Sequence, residues 1–548
     1  MKHVSIAVCF FCSLHLVTAQ PGKYSFKFKD IAGERGLLPE ASNIYGHGAA
    51  WGDIDGDGWV DLYVGTFSKA GKNNLLFRNT KGKFRAEKQT ALNIPSRTTG
   101  TVFADFDNDG DPDLYVGSMP QEKSDIRGNS LFENRGGVFR DISSGNGACP
   151  LRFGGRSVTV LDFDGDGLLD ILAGEDPLPG YNGSATKSSR LFRNKGNLQF
   201  EDVSRFVGLP ANVPGLGVAA ADVNNDGWPD FFIASNDGGN LLFLNDRKGK
   251  FYEAPGTRDL FAWKDSGGDN LVCGISMGDV NRDGLTDIVL SSHFDKPWVT
   301  PQPLRLFINN GTTGSTIRFK EVTNSVGLTP LPMKAPHVEI QDFDNDGFPD
   351  IYSSIVKFNN GKPYPVIFKN SGIRDGLPVF REDALAVNDF PTQEDKNYKG
   401  RSAAFFEKML KEKKITYSAS GPTADFDNDG RLDMFLPSWW PEASSMLLHN
   451  ETGAGNWLQI RVNGRTGINR MGIGSIVKVY QQGKPGDASA FIGSREIMAG
   501  FGYASGQPSI AHIGIGKETV VDIEIILPHG KGKLLRKGVK ANQLITIQ

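Results

Sequence analysis

Cysteine is scarce in this sequence. The chain holds 4 among 548 residues, and two of them, Cys9 and Cys12, fall within the first 20. Only Cys149 and Cys273 remain, which excludes a disulfide-stapled scaffold; one bridge between them and two separate buried thiols both stay open. An excess of one charge is missing too. Lys and Arg number 60 against 63 Asp and Glu, a net charge of -3, so no global field favours nucleic acid or an anionic membrane surface. After the first 20 residues no apolar run approaches the length of a spanning helix. Nucleophile elbows, P-loops, dinucleotide fingerprints and zinc-type His clusters are also missing, and with them the common enzyme signatures.

The N-terminus is the exception to the lack of apolar runs. Lys2 and His3 precede an apolar stretch over residues 4–16, and Val17-Thr18-Ala19 supplies small residues. The pattern predicts a secretory signal peptide over residues 1–19, cut after Ala19; a buried N-terminal strand is the alternative. The expected destination is the cell exterior, or the periplasm or cell surface if the source is bacterial. Glycine is plentiful, at 67 residues, as a fold with many tight turns requires.

One nine-residue pattern occurs seven times. Its copies start at Asp53, Asp105, Asp162, Asp222, Asp279, Asp342 and Asp425, spaced 52, 57, 60, 57, 63 and 83 residues apart by difference of those numbers. A repeat of that period signals a propeller or a solenoid. A short strand precedes each copy and an apolar run follows it, as in Leu62-Tyr-Val64 or Ile288-Val-Leu290. A third run carries Leu-Phe-x-Asn, ending at Asn79, Asn134, Asn194, Asn245 and Asn309, with Asn370 closing a variant. A fourth, shorter run is led by Phe84, Phe139, Phe200, Phe251, Phe319 or Phe380. Four strands per repeat make the blade of a β-propeller. The seventh unit lacks its fourth strand, and Phe26-Lys-Phe-Lys-Asp-Ile31 resembles the missing piece. The expected fold is all-β: a seven-bladed propeller over 24–450, closed by the N-terminal strand, then a small β domain over 455–548. An independent N-terminal strand is the competing reading of residues 26–31.

Positions 1, 3, 5 and 9 of each repeat carry Asp or Asn. They are Asp53, Asp55, Asp57 and Asp61; Asp105, Asp107, Asp109 and Asp113; Asp162, Asp164, Asp166 and Asp170; Asp222, Asn224, Asp226 and Asp230; Asp279, Asn281, Asp283 and Asp287; Asp342, Asp344, Asp346 and Asp350; Asp425, Asp427, Asp429 and Asp433. Alternate carboxylates converge when the chain curls, and Gly at position 6 permits the curl. Calcium takes six to eight hard oxygen ligands in a flexible cage, so up to about seven calcium ions are expected. An EF-hand is excluded, because position 12 is Val64, Val116, Ala173, Ile233, Leu290, Ser353 or Leu436 where it needs Glu. Turns without metal are the competing reading. Crowding three or four carboxylates without a cation is costly, which favours the metal.

The glycine-rich strand, the Asp-x-Asp-x-Asp-Gly-x-x-Asp loop and the Leu-Phe-x-Asn strand together resemble the FG-GAP or VCBS repeat, the blade unit of integrin α-chain propellers. The tail is similar to an ASPIC/UnbV domain, on Asn456-Trp-Leu458, Asn469-Arg-Met-Gly-Ile-Gly474, Gly500-Phe-Gly-Tyr503 with Ser505 and Gln507, and Val521-Asp-Ile-Glu-Ile525. Gly506 interrupts the Ser-Gln pair expected there. Propeller and tail together resemble the cartilage acidic protein family. The resemblance implies an extracellular propeller with metal loops on its rim and no established activity for most members.

Within the 83-residue spacing, residues 402–414 read as an amphipathic helix, either a cap between blades or a lid over the channel. His47, Arg97, Arg156 and His337 precede or begin innermost strands. Those side chains could converge on an anion or sugar; ordinary core polarity competes with that. Asn182, Asn310 and Asn450 begin glycosylation sequons. The functional expectation is an extracellular module binding protein or glycan. A lyase-like carbohydrate enzyme using the channel and a structural part of a surface assembly are the alternatives.

Overall fold

The computed structural model describes residues 25–548 except 69–71, 121–124, 152, 176–187, 236–238, 264–269, 295–300, 315, 332–333, 360–361, 383–417, 440–443, 454 and 501. The expected leader, the helix over 402–414 and Asn182 lie outside the described residues.

Each repeat folds as a four-stranded antiparallel sheet. Blade one runs Gly46–Gly52, Asp61–Thr66, Leu75–Thr80 and Lys83–Glu87, from the channel outward. Blades two to six repeat the order and begin with Thr98–Ala104, Gly155–Leu161, Gly217–Ala221, Asn270–Gly278 and Val338–Gln341. Blade seven takes Thr423–Ala424, Asp433–Leu436 and Met446–Asn450 from the end of the propeller, and Phe28–Asp30 from its start. Phe28 faces Asn450 and Asp30 faces Leu448 in that pairing. Closing the ring with the N-terminal strand pairs the edge an open blade would expose.

Seven hydrophobic clusters fill the seven seams between blades. The closing seam packs Trp51, Leu62 and Phe77 of blade one against Phe426, Phe435 and Leu447 of blade seven, with Ile31 and Leu37 wedged in from the N-terminal segment. Position 2 of every loop is apolar (Ile54, Phe106, Phe163, Val223, Val280, Phe343, Phe426) and its side chain is buried. At the centre the innermost strands nearly touch. A Cβ on Gly217 would lie 1.9 Å from the carbonyl oxygen of Cys273, so only glycine fits there.

The C-terminal unit contains two small sheets. In one, Asn456–Val462 lies between Ala511–Gly516 and Gln543–Ile547; in the other, Phe491–Glu496, Ile476–Gln481, Val520–Ile526 and Lys533–Lys540 are antiparallel. It does not swing free. Leu458, Ile460 and Val477 share one buried cluster with Val102, Phe106 and Phe192 of the propeller. Cys149 and Cys273 are separate free thiols. Burial pushes each up to about 12, so neither is a reactive thiolate.

Candidate metal loops and the filled channel

The seven loops share one hydrogen-bond frame. The position 1 carboxylate accepts from the backbone N–H of the position 6 glycine in every copy, at 2.7–3.2 Å. The position 5 carboxylate accepts from the N–H of position 7 at 2.8–3.0 Å. Position 6 glycines have φ between 82 and 105°, a region other residues avoid. Position 4 is also left-handed, at φ 54–74°, and is filled by Gly56, Asn108, Gly165, Asn225, Arg282, Asn345 and Asn428. Asn and Gly tolerate that region; Arg282 is the exception.

Position 9 anchors the loop to its blade. One oxygen of Asp61, Asp113, Asp170, Asp230, Asp287, Asp350 or Asp433 accepts from the position 2 N–H. The other accepts from the backbone N–H of the third-strand asparagine at 2.7–2.8 Å. That asparagine then ties the ring together. Its side-chain amide donates to the position 2 carbonyl of the preceding blade: Asn134 to Ile54, Asn194 to Phe106, Asn245 to Phe163, Asn309 to Val223, Asn370 to Val280, Asn450 to Phe343 and Asn79 to Phe426. Asn450 is fully buried with this amide engaged, so it is no place for a glycan; Asn310 is exposed.

The loops bring the expected carboxylates together. Carboxylate oxygens of positions 1, 3 and 9 lie within 4.8 Å of one another in loops two, three and six, and those of Asp53, Asp55 and Asp57 do so in loop one. Loop seven gathers Asp427, Asp433 and His449 in the same way. Burial, then mutual repulsion, resists ionisation: Asp162 is pushed up to about 7, and burial pushes Asp113 up to about 8. Buried oxygens of Asp53, Asp164, Asp344, Asp427 and Asn281 accept no hydrogen bond. In loops one, two, three and six the gathered set is all oxygen, and with bare acceptors that is the chemistry of a hard cation, which fits calcium.

The inner side of the loop collar meets the C-terminal domain. Arg461 lies 3.4 Å from Asp53, Gln459 donates to Asp425 at 2.8 Å, Ser494 donates to Asp279 at 3.1 Å, and His512 bonds Asn345 at 2.7 Å. From this roof, residues 498–500 and 502–507 descend into the channel. Ser505–Gly506 adds a parallel strand to blade one, facing Ala49 and Ala50. A Cβ on Gly506 would lie 2.6 Å from the carbonyl oxygen of Thr101 and 2.8 Å from the Cβ of Ala50. The departure from the expected Ser-Gln pair therefore sits where the insert touches backbone.

All four channel residues named from sequence are buried there, and three meet the insert. The Tyr503 hydroxyl is 3.1 Å from His47 Nε2 and accepts from Arg156 Nη2 at 2.9 Å. Ser505 Oγ is 3.2 Å from His337 Nδ1, and His337 Nε2 is 2.8 Å from Glu339. Arg97 lays its guanidinium over the Phe67 ring at 4.2 Å. Burial, reinforced by Arg156 and Arg97, holds His47 well below the usual histidine range. Burial opposes ionisation of Glu339, but bonds from His337, Thr423 and Gln341 outweigh it and hold its carboxyl below the usual range. Sequence reasoning missed Glu339 as a channel residue and gave Tyr503, Ser505 and Gln507 no place, although it had singled out the last three as a tail motif.

This geometry defines the class: a seven-bladed β-propeller roofed by a small C-terminal β domain. Family comparison agrees, with the FG-GAP-like repeat matching residues 53–116, 181–233 and 222–290 and ASPIC and UnbV matching 465–548. Over most of its length the chain is similar to cartilage acidic protein 1. Identity is 26% with the mouse protein, over 88% of this chain and 71% of that one, and 26% with the human protein, over 88% and 69%. Among solved structures it is similar to AofleA from Arthrobotrys oligospora, at 12% identity and a TM-score of 0.30, over 62% of this chain and 87% of that one. Among the described residues no helix is long and apolar enough to cross a membrane.

Proposed function

We propose that this chain is an exported, calcium-stiffened binding module that recognises an extracellular protein or glycan through its outer surfaces. The observation that carries the reading is the pairing of seven carboxylate loops with a channel already occupied by residues 502–507. Calcium held in the loops would offset the carboxylate repulsion that resists ionisation there and stabilise the folded state. Recognition then falls to blade edges and the face away from the roof. Catalysis by His47, Arg156 and His337 would require withdrawal of Tyr503 and Ser505, and nothing in the site favours that route.

The test is thermal unfolding of the chain from Gln20 in calcium and in chelator, with bound metal counted, followed by glycan and protein arrays under both conditions. A rise in melting temperature with calcium, and a calcium-dependent array signal, support the reading. No bound calcium would reduce the loops to turns. Bound calcium without any array signal would favour a structural part of a surface assembly.

A further inference from the structure

The residue just before each third-strand asparagine stands beside the loop of its own blade, and its chemistry changes from blade to blade. In order it is Arg78, Glu133, Arg193, Leu244, Ile308, Lys369 and His449. Arg78 Nη1 lies 3.0 Å from Asp55 and 3.6 Å from Asp61. Arg193 lies 2.6 Å from Asp164 and 3.4 Å from Asp166. Lys369 bonds Asp344 and lies 3.1 Å from Asp346, with only 14% of its side chain exposed. These are carboxylates of positions 3, 5 and 9, the same groups that would hold a metal. Loop seven has its own cations: Arg35 lies 3.3 Å from Asp427, and Arg431 bonds Asp429.

The other three loops differ. Beside loop two stands a further carboxylate, Glu133, next to the Asn134 whose backbone N–H bonds Asp113 at 2.8 Å; its own partners are the exposed Arg135 and Arg140. Beside loops four and five stand Leu244 and Ile308, buried and uncharged. Arg247 reaches Asp226 of loop four only at 3.6 Å, from a side chain 62% exposed. A cation lodged among carboxylates must be displaced or endured by an arriving ion; an exposed one moves away at little cost.

We propose that the seven loops form two classes of calcium site: loops two, four and five bind tightly, and loops one, three, six and seven bind weakly because side-chain cations already occupy their carboxylates. The lodged cations do not complete the cages. Asp53, Asp164, Asp344 and Asp427 each keep one bare oxygen, which is why those four loops are weak sites and not closed ones. This inference rests on the calcium reading above, and identifies the residues that set affinity within it.

Calorimetric titration of the full chain with calcium chloride tests it, with native mass spectrometry counting the ions. Wild type should show three tight sites ahead of a weaker set. Lys369→Met should add a fourth tight site, tightening loop six by at least about tenfold, since a unit charge within hydrogen-bond distance is removed. Glu133→Lys should remove one tight site, and Glu133→Gln should weaken it without loss. Circular dichroism and elution volume confirm that each variant folds, and the two opposite substitutions keep the test open if one does not. Seven equivalent sites in wild type, or an unchanged count in folded Lys369→Met, would overturn the inference while leaving the calcium reading intact. Absence of calcium binding in every protein would end the calcium reading, and this inference with it.

Discussion

Replacing Asn134 by Leu should open one seam of the propeller. The two side chains are close in size, so the change is chiefly one of polarity. Asn134 is fully buried and its amide donates to the carbonyls of Ile54 at 2.8 Å and Pro112 at 3.0 Å, while its oxygen accepts from Gly137 N–H at 2.8 Å. Leucine removes all three bonds and leaves two carbonyls and one N–H without partners. A net bond contributes about 1 kcal/mol, and a buried orphan costs ~1–3 kcal/mol, so the expected loss is about 3–5 kcal/mol with some relief from water entering the seam. Urea unfolding followed by tryptophan fluorescence at fixed calcium would measure it, read from the first transition because a seven-bladed chain need not unfold in one step. Hydrogen exchange should localise the damage to residues 53–57 and 112–114, between blades one and two. A loss below about 1 kcal/mol, or faster exchange spread evenly over all blades, would refute the claim that this amide ties neighbouring blades together.

Two further substitutions probe the roof. Gly506→Val should expel the channel insert, because even a Cβ would meet Thr101 and Ala50 inside normal contact. Overpacking costs ~1–3 kcal/mol, so protease cleavage between residues 450 and 456 should accelerate by about tenfold while the propeller fragment stays resistant; unchanged cleavage would mean the insert does not hold the domain down. His512 is buried against Asn345 and Gln459, and burial, with Arg495 adding, lowers it to about 3. A neutral buried histidine must take up a proton on unfolding. Its contribution is complete above pH 6.5 and declines as pH falls toward 3, reaching a loss of about 2 kcal/mol at pH 5. The stability difference between wild type and His512→Asn should therefore shrink by that amount between pH 7.5 and 5; a constant difference would show that folding leaves the proton affinity of His512 unchanged.

The propeller was legible because each blade is specified locally. Loop, strand and turn signals recur within 52 to 83 residues, and the closing strand betrayed itself by likeness to its six counterparts. What joins the blades was harder to read, for a physical reason. The asparagine of Leu-Phe-x-Asn is visible as a strand mark, but its acceptors are main-chain carbonyls 80 residues away for Asn134 and 347 away for Asn79. A carbonyl leaves no mark in side-chain pattern, so the tie shows only when the ring is closed. The channel posed the same difficulty more sharply. His47, Arg156 and His337 were placed correctly at the starts of inner strands, yet what meets them comes from a tail 168 to 456 residues further on. An anion or sugar opposite the His and Arg set was one reading and ordinary core polarity the other; a tyrosine and serine of the same chain supply the matching polar atoms. Gly506 carried the clue. A glycine interrupting an otherwise matching motif marks a point where backbone approaches backbone, and here the approaching backbone belongs to the innermost strands of the propeller.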